Sequence, residues 1–144
     1  MPHSPILAPI VALVAWTLIM QIWLYATRIP AMKRAGIDIN GLKGGHGRQL
    51  DGRVDERAQW KAHNYNHLLE QPTLFYAITI TLALLGAGHE QPALALAWAY
   101  VGLRIAHSLI QATVNIVKWR FMVFGLASLC LLGLTIIAGL TLLR

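Results

Sequence analysis

The sequence predicts an all-α membrane protein, a bundle of four transmembrane helices, and three observations carry that expectation. Of the 144 residues 56% are hydrophobic and 12% charged, with a mean hydropathy of +0.54, the balance of a membrane chain. Four apolar stretches recur at intervals near the ~20 residues that cross a bilayer core. Lys and Arg gather in two of the three connections between those stretches. The length suggests a single domain covering residues 1–144.

The first helix is expected over about residues 5–28. Its apolar run begins at Ile6 and is interrupted only by Pro9, Thr17 and Gln21. Trp23 and Tyr25 fall where an aromatic belt meets the headgroups, and Arg28 and Pro30 are expected to end the span. No Lys or Arg precedes the run, so it reads as a retained helix and not as a signal peptide.

A polar connection follows over about residues 29–54. Glycines 41, 44, 45, 47 and 52 predict a flexible middle. Its GGHG segment has no strand before it and no GK[ST] after it, which argues against a phosphate loop.

The second helix is expected over about residues 55–87, starting in water near Asp55 and entering the membrane around His67. Its clean apolar run from Leu74 to Leu85 is too short to cross alone, so Glu70 must lie at or just inside the boundary. Pro72 is expected to kink this helix or to free a carbonyl near Leu68 that a neighbour satisfies. His63 and His67 lie one turn apart, a spacing that suits zinc. No HExxH motif or third ligand accompanies them, and no metal site is predicted.

The third helix is expected over about residues 92–117 and the fourth over about 120–143. The fourth is free of charge after Arg120, and Gly125, Ser128, Gly133 and Gly139 predict close helix approach along it. Its single cysteine, Cys130, excludes an intrachain disulfide and reads as a packing residue.

Charge sets the expected topology. The first connection holds Lys33, Arg34, Lys43, Arg48, Arg53, Arg57 and Lys61, and the third holds Lys118 and Arg120. The opposite side has only Arg144. Both basic connections are therefore expected in the cytoplasm and both termini outside. The same reading accounts for the net charge of +6 and the pI of 10.0 without nucleic acid, for which no motif is present.

The expected chemistry centres on the third helix. Arg104, His107, Ser108, Gln111, Asn115 and Lys118 follow at steps of one, three or four, which places them on one helical face. Polar groups at membrane depth are costly unless they face protein or water. Glu70 and Arg104 differ in depth by less than ~10 Å at helical rise, so an Arg104–Glu70 ion pair is expected. The polar line from Arg120 inward looks like a cleft for an anionic molecule.

These residues carry a resemblance. NYNHLLEQPTLFY over residues 64–76, RIAHS over 104–108 and RF at 120–121 resemble the MAPEG family, membrane-associated proteins in eicosanoid and glutathione metabolism. The likeness spans nearly the whole chain. It implies a homotrimer that binds glutathione between subunits, with a lipophilic small-molecule substrate entering from the lipid bilayer. Carried onto this sequence, the glutathione-binding residues are Asn66 or Asn64, Glu70, Arg104 and His107. Arg120 takes the catalytic place beside the thiol. A guanidinium there favours the thiolate, which is the nucleophile.

The chain departs from the family pattern at three points. The Arg expected shortly before the helix-two Asn has only Lys61 and Arg57 as counterparts. A helix-three Tyr found in one branch is Gln111. The Asn–Glu spacing is four or six in place of three. The implied activity is a glutathione-dependent transferase or peroxidase, with a non-catalytic lipid-binding scaffold of the same fold as the alternative. A small multidrug transporter would carry an acid in its first helix, and this chain has none there.

Overall fold

The computed structural model describes residues 3–38, 41, 44 and 47–143. Lys43, half of the GGHG segment and Arg144 lie outside the described residues. Among those described, all regular structure is helical: α1 (Leu7–Arg34), α2 (Glu56–Leu68), α3 (Pro72–Leu84), α4 (Gln91–Thr113) and α5 (Val117–Leu142), with short 3-10 turns at Gly47–Leu50 and Ala87–His89. Three of these helices, α1, α4 and α5, are long and apolar enough to cross a membrane. Only 22% of the most apolar window of α5 is buried within the chain, so most of that helix faces an apolar exterior.

α1 does not stop near Arg28. Pro30 sits inside it, and the helix continues to Arg34. Gly36 is what ends it. Its φ of +68° lets the Ile37 N–H reach the Met32 carbonyl and the Gly36 N–H reach that of Lys33, a Schellman close. Met32 and Ile37 then join a small apolar cluster with Ala31, Val54 and Ala58 that ties the start of α2 to the end of α1.

The stretch expected as one second helix is divided. α2 opens at Asp55, whose side chain accepts from the Arg57 N–H at 2.9 Å, and closes at Leu68. Pro72 has no N–H to return to the Leu68 carbonyl, so the ladder breaks and α3 begins with Pro72 in its first turn, where no donor is missed. At 13 residues α3 is roughly 20 Å long, short of a span by itself.

α4 supplies the core. Ala93, Ala97, Tyr100, Val101, Arg104, His107, Ser108, Gln111 and Ala112 form its buried face. Tyr100 stacks on Phe75 of α3 with ring centroids 4.3 Å apart, and Leu13 and Met20 of α1 complete the layer. Gly133 of α5 packs against α4, where an added Cβ would come 2.8 Å from Leu96 Cδ1. Gly125 and Gly139 face open space, so the expected small-residue seam reduces to Gly133. Ser128 has a different task, accepting from Gln71 Nε2 at 2.9 Å.

Two ends result. A cleft of about 420 Å³ is lined by Asp51, Gln59, Trp60, His63 and Asn115, which puts the long connection, the start of α2 and the α4–α5 turn at one end. At the other, Gly88 packs under Ser4 and Ile6.

Candidate functional site

The site begins at the broken helix. Carbonyls in the last turn of α2 lack intrahelical donors, and the nearest donor is on α4. Arg104 Nη2 donates to the His67 carbonyl oxygen at 2.9 Å and lies 3.0 Å from His67 Nδ1. A guanidinium nitrogen only donates, so Nδ1 accepts and His67 carries its ring proton on Nε2. Arg104 is fully buried, with its guanidinium 5.7 Å from the centroid of the Phe124 ring. Its Nε and Nη1 have no hydrogen-bond partner among the described residues.

The expected Arg104–Glu70 ion pair is not formed in the chain. Glu70 is exposed, in the irregular residues between α2 and α3. Glu70 has no ion-pair partner within 4 Å among the described residues, whereas His63 and Asp51 form an ion pair at 3.0 Å. The break explains this: residues 69–71 leave the helical path, so Glu70 turns outward while the freed end of α2 takes the guanidinium. The two histidines also part company. His63 Nε2 meets Asp51 Oδ1 at 3.0 Å, whereas His67 stacks on His107 with centroids 4.8 Å apart. No group of three metal-ligating side chains occurs among the described residues.

Asn64 is fully buried and donates to Ser108 Oγ at 2.6 Å, one position from His107. Asn66 is exposed. Of the two asparagines, Asn64 therefore stands beside α4. Its Oδ1, like Gln111 Oε1, is buried without a donor among the described residues.

Arg120 is placed by the α4–α5 turn. Asn115 adopts φ +51°, its N–H reaches back to the Ile110 carbonyl at 2.7 Å, and α4 ends there. The Asn115 side chain then accepts from Arg120 Nη1 at 2.8 Å. This holds the guanidinium over a cavity of about 210 Å³ lined by His67, His107, Val117, Arg120, Phe121 and Phe124. Arg120 Nε is buried there without a partner among the described residues.

The structure thus brings Arg104, His107 and Arg120 together through His67 and Phe124, places Asn64 behind them, and leaves Asn66 and Glu70 outside. Sequence reasoning missed His67 as the link, and it missed the aromatic wall of Phe121 and Phe124. Pro72 was the available signal: a proline four residues on frees the end of α2, which then needs a donor.

Lys61 and Arg57, the counterparts of the missing family arginine, do not line this cavity. They face a different cleft, with Thr27, Pro30 and Arg34.

Comparison with known proteins gives a family match. The model of the MAPEG family covers residues 6–140. No curated protein and no solved structure matches the chain.

Proposed function

The chain belongs to the MAPEG family of membrane proteins, and from that premise we propose that it is a glutathione-dependent transferase or peroxidase acting on lipophilic substrates. The observation that carries this reading is the Arg120 guanidinium, held by Asn115 at a cavity whose other walls are His67, His107 and two phenylalanines. A cation beside an aromatic, lipid-level hollow suits an anionic sulfur meeting an apolar electrophile.

The residues present fit glutathione in part. Arg104 Nε and Nη1 and Arg120 Nε are buried donors with no acceptor among the described residues, as a carboxylate or thiolate ligand would require. When bound, glutathione supplies the thiol. Arg120 would stabilise its anion, and Phe121 and Phe124 would exclude water and seat the co-substrate. Pockets for ligands of this size run to roughly 300–1,000 Å³, so a cavity of about 210 Å³ holds only a portion. A neighbouring chain would complete it, in keeping with a homotrimer, and exposed Asn66 and Glu70 would then be available across the seam. In this reading α2 and α3 cross the inner membrane as one interrupted span of a single four-span domain, with the loop end cytoplasmic.

The non-catalytic scaffold has one observation in its favour: the Arg104 hydrogen bonds go to His67, a structural use. Titration of glutathione into detergent-purified protein, followed by turnover of a chlorinated aromatic electrophile, separates the two. Binding and turnover, with turnover lost in Arg120→Ala, support the enzyme. Absence of binding at millimolar glutathione supports the scaffold.

A further inference from the structure

A second cleft, of about 310 Å³, opens between the end of α1 and the start of α2, away from the Arg120 cavity. Thr27, Pro30 and Arg34 line it from α1, and Asp55, Arg57 and Lys61 from α2. Three cations face one acid, and that acid is engaged. Asp55 caps α2 by accepting from the Arg57 N–H at 2.9 Å. Neither guanidinium, of Arg34 or of Arg57, donates a side-chain hydrogen bond among the described residues. Lys61 is fixed by donating to the Arg57 carbonyl at 2.7 Å, and its Nζ lies 5.5 Å from the centroid of the Trp23 ring. That leaves it two further N–H groups.

Depth selects the anion. Counted from Leu7, the ~20 residues that fill the hydrocarbon core end near Ala26, where this cleft begins. Trp23 and Tyr25 sit one turn before it, at belt level. A ligand at that level comes sideways from the bilayer, and the negative group there is a phosphate. We propose that this cleft binds the phosphate of an anionic phospholipid headgroup, with Arg34, Arg57 and Lys61 as its donors. Basic clefts beside membrane helices recognise headgroups in this way.

The test is lipid retention. The full chain is reconstituted in equal parts phosphatidylglycerol and phosphatidylcholine, extracted gently, and its bound lipid counted by native mass spectrometry. The wild type retains phosphatidylglycerol in preference. Arg34→Gln and Lys61→Gln each reduce that preference about fivefold, the worth of one surface cation. Lys33→Gln removes a cation of the same helix turn that does not line the cleft, and it leaves the preference intact. Excess inorganic phosphate does not displace the lipid. The proposal is overturned if the wild type shows no preference, if Lys33→Gln reduces it as much as Arg34→Gln, or if inorganic phosphate empties the site, which would make a free anion the ligand.

Discussion

Arg104 Nη2 lies 2.9 Å from the carbonyl oxygen of His67 and 3.0 Å from Nδ1 of the same residue, so a fully buried cation closes the broken end of α2. A positive charge at a helix C-terminus is favoured by the dipole as well as by the hydrogen bond. The consequence is a division of labour. Arg104 is committed to the scaffold through one nitrogen, and its two remaining nitrogens are the free donors.

Removing that donor should cost stability. Arg104→Met keeps length and packing but leaves the His67 carbonyl unsatisfied, and it should destabilise the protein by about 1–3 kcal/mol. Glu70→Gln, at an exposed position without an ion-pair partner among the described residues, should change stability by less than about 0.5 kcal/mol. Thermal unfolding in one detergent compares the two. Equal losses would restore the Arg104–Glu70 pair.

The α4–α5 turn allows backbone and side chain to be separated. Asn115→Gly keeps the +51° φ without strain but releases Arg120. Folding should be retained while any Arg120-dependent turnover falls. Asn115→Ala adds backbone strain of about 1 kcal/mol or more, so it should also lower the melting temperature. A glycine variant with full activity would show that Arg120 needs no such support.

The loop end should loosen in acid. Gln59 Nε2 donates to Asp51 Oδ1 at 2.6 Å, which, with the nearby His63 charge and hydrogen bond and the Arg28 charge, holds the Asp51 carboxyl below its ordinary 3.8 despite desolvation. The folded state binds this proton less tightly than the unfolded chain. The clasp's contribution is therefore complete above pH 3.8 and is lost as pH falls through the lower folded-state value. Amide exchange at Gln59 and His63, corrected for intrinsic rates, should show protection falling in that window. Asp51→Asn should abolish the step. Protection that grows on acidification would contradict the assignment.

Two glycines should respond in opposite directions. A Cβ at Gly88 would overlap Ser4 Oγ and stand 2.7 Å from Ile6 Cγ2, whereas one at Gly102 meets nothing within 4 Å. Gly88→Val should destabilise by about 1–3 kcal/mol. Gly102→Ala, at an exposed position of α4, should stabilise by up to about 1 kcal/mol. A stability loss at Gly102 comparable to that at Gly88 would reveal a packed neighbour there, such as another copy of the chain.

The sequence by itself determined the membrane class, the helical content, the start of α2 at Asp55 and the polar face of α4 from Arg104 to Gln111, but Asn115 and Lys118, which the spacing put on that face, lie beyond the end of α4 at Thr113, one in the turn and one on α5. Each follows from local quantities: apolar run length, capping chemistry and the 3.6-residue period. It also marked Pro72 as the place where a carbonyl would come free. Only the tertiary structure decided what answered that carbonyl. Glu70 and His67 are both near Arg104 in depth, and nothing in their spacing says which one the guanidinium meets. Three irregular residues turn the chain, one candidate faces outward and the other inward, and the choice is made by packing across helices distant in sequence. The same holds for Pro30 and Gly36 at the end of α1. Both residues can stop a helix, and the stop falls at Gly36, where a left-handed residue lets two carbonyls find donors and two apolar side chains meet.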